Sequence, residues 1–196
     1  LFLVSGVFAF MFNGSPASIY IGPLFIVFLA VPSYYALGKS KRWKWILGSV
    51  ILLGFFMESL SIQTGFPYSF FTYGEGMGPK VFGVPFTLAF AWPPLVIGAY
   101  YTMQRSPYPV LGSTLLLVLV DLVLDPVAVV LGHWEWVIDG VYYGVPFANF
   151  AGWLLTGFIA SKIMSYSEEL SSLAGVSTVL FLSFWIGVSA VSGMHV

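Results

Sequence analysis

Three carboxylic acids lie within long apolar runs of this sequence. Glu58 lies in ILLGFFMESLSIQTG, whereas Asp121 and Asp125 lie in LLLVLVDLVLDP. The two aspartates are four residues apart, so a helix would place both carboxyls on one face, about one turn apart. Carboxylates are costly inside a bilayer and usually mark functional sites there. Because no Lys or Arg lies within these runs, we expect at least one carboxyl to be protonated and able to donate a proton.

A second polar group lies in the segment GHWEWVIDGVYYGVPFANFAGW. It contributes six candidate residues: Trp136, Asp139, Tyr142, Tyr143, Asn149 and Trp153. Trp and Tyr near a membrane often form an interfacial belt, but an amide within a helix needs hydrogen-bond partners. We therefore expect Asn149 to contact a substrate or a positioned water. The alternative is that Asn149 and the acids only hydrogen-bond neighbouring helices as structural contacts.

Several kinds of chemistry lack the residues they need. The chain has no cysteine and only two histidines, His133 and His195, with no second His at zinc-ligand spacing. It has no DDxxD-type cluster for a diphosphate, no GxGxxG, no basic patch for nucleic acid, and no Lys in TVLFLSFWIGVSAV to hold retinal. What remains is acid chemistry in an apolar, aromatic cavity, without a cofactor or metal.

Acid chemistry in such a cavity suits protonation of an alkene. A proton added to an isoprenoid double bond creates a tertiary carbocation, which aromatic faces stabilise by cation–π attraction. Capture of the cation by water gives hydration, whereas attack by a neighbouring alkene gives cyclisation.

These segments resemble a known family. The run from Glu58 through TGFPYSFFTYGEGMG, GVPF and DLVLDP to HWEWVIDGVYYGVPFANFAGW is similar to the carotenoid biosynthesis membrane proteins of the bisanhydrobacterioruberin hydratase and γ-carotene 1′-hydratase type. The resemblance covers about residues 50 to 160, and W-x-W…G-x-YYGVP…N…GW is its most specific part. It implies addition of water across the terminal C=C of an acyclic ψ-end group, giving a tertiary hydroxyl. The family often has Trp after GVP, whereas this chain has Phe86 and Phe147, which leaves the substrate open.

The residue chemistry then assigns candidate roles. Asp121 or Asp125 would donate the proton, and Glu58 or Asp139 would act as the base that orients water held by Asn149. Aromatic residues would face the cation or contact the polyene: Trp136, Tyr143, Trp153, Tyr142 and Trp92. Two other interpretations stay open: a membrane carotenoid cyclase, which excludes water, and a non-catalytic carotenoid- or lipid-binding or transport protein.

The elements that carry these residues are predicted to be membrane helices. Hydrophobic residues make up 59% of the 196 residues and charged residues 8%, against about 25% charged in soluble domains. We predict an all-α, multi-pass cell-membrane protein with one transmembrane domain, 1–196. Seven apolar runs approach the length needed to span a bilayer: 1–12, 17–37, 45–63, 84–102, 110–131, 146–163 and 172–191. We interpret 1–12 as a helix whose start is missing.

The basic residues predict the orientation. If the GKSKRWKW loop is cytoplasmic, alternation of the helices places six of the seven Lys and Arg inside and only Lys80 outside. The N-terminus is then inside, the C-terminus outside, and both long aromatic loops face outward. The expected partners are a carotenoid, membrane lipid, and other carotenoid biosynthesis enzymes or a second copy of the chain.

The motif GVPF occurs twice, at 83–86 and 144–147, each with Trp nine positions after its Gly. We predict that Pro85 and Pro146 each lie in the first turn of a helix running inward, where proline costs no hydrogen bond. The third and fourth helices and the fifth and sixth would then be a parallel duplication of one hairpin.

Overall fold

The computed structural model describes residues 30–191, which are mostly helical. Residues 30–37 are helical, and five further helices follow: α1 (Trp43–Thr64), α2 (Leu88–Met103), α3 (Pro109–Val130), α4 (Phe147–Met164) and α5 (Leu173–Val191). α2 packs against α1, α3 and α5, and α4 packs closely on α3, so α1 to α4 enclose a common core.

These helices bury polar side chains and expose apolar ones. Ser61 on α1 and Ser113 on α3 are buried, whereas the exposed side chains on the same helices include Leu52, Phe56, Leu111, Leu115 and Leu119. Such a pattern suits lipid rather than water around the bundle. Three of the described helices, α1, α3 and α4, are long and apolar enough to cross a membrane. The membrane character predicted from composition is thereby supported.

Short strands join the two long loops at one end of the bundle. β1 (Phe71–Tyr73) follows α1, and β4 (Trp134–Trp136) follows α3. The two strands pair antiparallel, with Phe71 opposite Trp136 and Tyr73 opposite Trp134. The loop of each helical hairpin is therefore held by the loop of the other.

The chain makes the same two-residue turn at the start of each GVPF segment. β2 (Lys80–Val81) and β3 (Val84–Pro85) pair across Phe82 and Gly83, and Tyr142 pairs with Val145 across Tyr143 and Gly144. Phe82 and Tyr143 have φ of 51° and 50°, and the glycines that follow have φ of 83° and 82°. Two consecutive positive φ values define the type I′ turn of a two-residue hairpin. A bulky residue at positive φ is uncommon, yet it occurs twice at matched positions.

Most predicted helices agree with the structure to within two residues. The exception is the fourth, predicted at 84–102, because Val84 and Pro85 belong to β3 and α2 begins only at Leu88. The prediction that Pro85 lies in the first turn of that helix is therefore wrong, and Pro146 is the residue that precedes α4. The expectation of an exclusively helical fold also missed the two small sheets. The predicted helix 1–12 and most of 17–37 lie outside the described residues.

Candidate active site

Asn149 links the two aspartates of α3. Its amide nitrogen donates to Asp121 Oδ2 at 2.7 Å and also to Asp125 Oδ2. All three side chains are almost fully buried. The four-residue spacing places both carboxyls on the face of α3 that packs against α4, and the amide satisfies one oxygen of each. Both amide protons of Asn149 are used in this way, so only its carbonyl oxygen could accept a bond from water.

Asp121 keeps one oxygen without a partner. Its Oδ1 is buried and accepts no hydrogen bond from any described residue. A buried polar atom without a partner is costly, so it marks a position where a water, a substrate group or a carboxyl proton is expected.

Glu58 forms a second acid centre with different partners. Tyr73 Oη donates to Glu58 Oε2 and Trp92 Nε1 donates to Glu58 Oε1, both at 3.0 Å. Both carboxyl oxygens therefore accept a bond. The bond from Trp92 holds its indole in place, and the bond from Tyr73 connects the loop that carries β1 to α1.

The two tryptophans of the repeated segments stack on each other. The ring centroids of Trp92 and Trp153 are 4.7 Å apart and their planes differ by 18°. Gly54 allows this packing, because a Cβ there would lie 3.1 Å from Trp92 Cγ. The stack lies between α2 and α4, beside the Glu58 centre and on the helix that carries Asn149.

The sheet formed by β1 and β4 covers the acids with aromatic rings. Phe71, Tyr73, Trp134 and Trp136 turn inward, whereas Glu135 between the two tryptophans is exposed. Phe71 and Trp136 have ring centroids 5.1 Å apart, and Tyr73 meets Trp134 edge-on at 5.8 Å. Trp134 also interacts with the Asp125 carboxyl. We call these four residues the aromatic cap.

Tyr68 enters the bundle beside the acids from the loop after α1. Ser61 Oγ accepts the Tyr68 backbone N–H at 3.0 Å, and Tyr68 Oη donates to Thr156 Oγ1 at 2.8 Å. Burial, and then the charge of the Glu58 carboxylate, raise the pKa of Tyr68 well above that of an exposed tyrosine. Its hydroxyl therefore stays protonated and serves as a hydrogen-bond donor.

Gly152 makes room for Tyr68. A Cβ at this position would lie 2.3 Å from Tyr68 Cδ1 and 2.9 Å from Pro67 O, so we expect Gly152→Ala to displace the ring and break the bond to Thr156. The expected result is a lower denaturation temperature in detergent, measured by circular dichroism. Gly157→Ala is the control on the same helix, since its Cβ would lie 3.3 Å from a mobile Leu117 methyl and alanine favours helix by about 1 kcal/mol. Equal stability of the two variants would contradict the prediction.

The structure brings most of the candidate site residues together. Glu58, Asp121, Asp125, Asn149, Trp92 and Trp153 are all buried within the four-helix core. Trp136 lies in the aromatic cap, and its indole nitrogen is buried without a hydrogen-bond partner among the described residues.

Three candidates lie farther from the acids. Asp139 and Tyr143 are exposed in the loop before α4. Tyr142 is partly buried, and its hydroxyl donates to the Leu122 carbonyl of α3 at 3.1 Å. All three thus belong to the loop before α4 rather than to the buried core that holds the acids.

Sequence reasoning left four residues out of the candidate site. Tyr73 and Trp134 interact with the carboxyls of Glu58 and Asp125, and Tyr68 and Thr156 bond to each other beside them. These residues lie in aromatic loops or on α4 near Asn149, and such positions only weakly indicated a role at the site. The partners of Glu58 could have been sought among these tyrosines, since a buried carboxyl needs donors.

Comparisons with known proteins agree with this picture. A family model described as "Carotenoid biosynthesis protein" matches residues 18–196. The bisanhydrobacterioruberin hydratase of Haloarcula japonica is 36% identical over 136 residues, which covers 65% of this chain and 46% of that protein. The match thus spans less than half the length of that relative. No solved structure matches the chain. With its family match over nearly the whole sequence and its acids gathered beneath an aromatic cap, the chain belongs to the carotenoid biosynthesis protein family.

Proposed function

We propose that this protein is a carotenoid hydratase that adds water across the terminal C=C of an acyclic ψ-end group, giving a tertiary hydroxyl. The observation that carries the proposal is the buried group of Asp121, Asp125 and Asn149 beside aromatic rings. The name of its relative, bisanhydrobacterioruberin hydratase, supports the same class of reaction.

The aspartate pair supplies the proton. Two carboxyls that share one amide, with no cation bonded to them, favour a state in which one of them is protonated. The proton passes to the less substituted carbon of the double bond, and the positive charge develops on the carbon that bears two methyl groups. The unpartnered Asp121 Oδ1 is the atom best placed to carry that proton, because Oδ2 of each aspartate already accepts a bond from Asn149 and the Asp125 carboxyl also interacts with Trp134.

Water then completes the addition. The oxygen of water bonds to the tertiary cation, and the proton that it loses returns to the carboxylate pair, so the acid is regenerated. The stacked Trp92 and Trp153 offer π faces that would stabilise the cation. Since Glu58 accepts bonds from Tyr73 and Trp92, we assign it the role of positioning Trp92 rather than that of the base. Neither step requires a cofactor.

We further propose that the chain crosses the cell membrane several times, with about seven helices, the N-terminus inside and the C-terminus outside. The hairpins α1–α2 and α3–α4 are proposed to be a parallel duplication. The matched type I′ turns, the antiparallel pairing of β1 with β4 and the stacking of Trp92 on Trp153 all support it. The turns occupy corresponding positions in the two hairpins, and the strand pairing and the ring stack each join corresponding parts. Both are expected around a pseudo-twofold axis along the membrane normal.

An isotope experiment tests the reaction. Membranes that contain the protein are incubated with lycopene-type acyclic carotenoids in ¹⁸O-water, and the products are analysed by mass spectrometry. We expect a product heavier than its substrate by one labelled water per hydrated end. A product of unchanged mass would indicate cyclisation instead, and the absence of any product would contradict an enzymatic role towards these substrates.

A further inference from the structure

The hairpin that precedes α4 lies at an unexpected depth along α3. Its Tyr142 hydroxyl bonds to the carbonyl of Leu122, which lies eight residues before the end of α3 at Val130. At 1.5 Å per residue, this contact is about 12 Å below that end of the helix and about 20 Å from its start at Pro109. A hydrocarbon core is about 30 Å thick, so a spanning α3 would place Leu122 within the core.

The helix lengths indicate the same depth. α3 has 22 residues, whereas α4 has 18, which corresponds to about 33 Å and about 27 Å. α3 is therefore about 6 Å longer than α4, which leaves room beside α3 for the hairpin immediately before α4.

The side chains of this segment suit lipid. Val141 is 99% exposed and Phe147 is 78% exposed, and Val137, Ile138 and Tyr143 are exposed as well. Asp139 is the one charged residue between Val137 and Phe147. The valine, isoleucine and phenylalanine side chains among these exposed residues direct most of their surface away from the protein.

Two backbone hydrogen bonds close the hairpin. The Gly140 N–H donates to Gly144 O at 3.0 Å, and the Val145 N–H donates to Tyr142 O at 2.8 Å. Backbone outside a helix is tolerated at membrane depth only where its polar groups find partners in the protein. The two backbone bonds and the bond from the Tyr142 hydroxyl to α3 supply part of the pairing that this depth requires.

We propose that the segment Gly140–Val145 is a re-entrant hairpin that packs against lipid acyl chains in the leaflet on the side of the aromatic cap. This inference rests on the membrane-spanning arrangement proposed above but not on hydration chemistry. The hairpin would border the acid centre from the lipid side, which is the side from which an apolar polyene arrives.

Site-directed spin labelling tests the position. Because the chain has no cysteine, Val141→Cys provides a single labelling site in the full chain, reconstituted into phosphatidylcholine vesicles. Glu135→Cys, on the outer face of β4, serves as the water-exposed reference, and Leu119→Cys, exposed on α3, serves as the lipid-exposed reference. The measurement compares how strongly molecular oxygen and a water-soluble nickel complex increase the electron-spin relaxation rate of the nitroxide label.

We expect Val141→Cys to resemble Leu119→Cys, with high oxygen and low nickel accessibility. A label at 141 that resembles the one at 135 would overturn the proposal. If Val141→Cys does not fold, Phe147→Cys gives the same comparison. A label at 119 that reads as water-exposed would contradict the spanning arrangement, and none of these readings depends on turnover.

Discussion

Replacing Asp121 by asparagine is expected to lower carotenoid hydration by about 100-fold or more, because general acid catalysis contributes that much. The amide matches the carboxyl in size but cannot donate an acid proton to an alkene. The measurement is the ratio of hydroxylated product to substrate, by chromatography and mass spectrometry, in cells that supply acyclic carotenoids. Asp125→Asn is also expected to reduce hydration, since the pair shares its proton, but less strongly, because Asp121 Oδ1 keeps its open position.

Glu135→Gln is the matched control, because this carboxyl is exposed on the outer face of the sheet. It should leave hydration unchanged. If the buried acids serve only as structural contacts, Asp121→Asn would change the denaturation temperature and leave the product ratio at its original value. That outcome would remove Asp121 from the chemistry.

The second large effect is expected from Asn149→Leu. Leucine is the residue at the corresponding position of the first GVPF segment, Leu88. The change removes the amide that bonds to both aspartates, and each buried acceptor left unsatisfied costs about 1–3 kcal/mol. We expect a lower denaturation temperature in detergent together with loss of hydration, because the two carboxyls are no longer held in register.

A double-mutant cycle identifies the cause of that loss. Asn149→Leu, Asp125→Asn and the double variant are compared for unfolding free energy. Side chains that share a hydrogen bond give non-additive changes of about 0.5–3 kcal/mol. Strictly additive changes would show that Asn149 stabilises the helix pair through packing alone, and would contradict the assigned link.

Much of the candidate site could be predicted because helical periodicity fixes which side chains share a face. The spacing of Asp121 and Asp125 predicted two neighbouring carboxyls, and the structure confirms it. The requirement that a buried amide have partners predicted that Asn149 would be hydrogen-bonded, but the expected partner was a substrate or a water, whereas its amide bonds to the two aspartates of the neighbouring helix. Which helix faces which is decided by packing between segments distant in sequence.

The loops were harder to predict. β1 and β4 have three residues each, too few for the alternation that reveals a strand. The turns at Phe82 and Tyr143 place bulky aromatic residues at positive φ, where Asn or Gly is the usual signal. For that reason the helix predicted at 84–102 included Val84 and Pro85, which belong to β3. The stacking of Trp92 on Trp153 depends on the rotation of two helices, which matched spacing alone does not determine.

The pairing of β1 with β4 has a consequence for assembly. Each strand belongs to the loop of a different helical hairpin, so the aromatic cap cannot form until synthesis has passed Trp136 and the two loops have met. During synthesis the carboxyl of Glu58 would find Trp92 within the first hairpin, whereas the cap also requires β4, which follows α3. The buried carboxyls are therefore covered by aromatic rings only after the second loop has formed, and under the proposed function a partly inserted chain would lack the complete site.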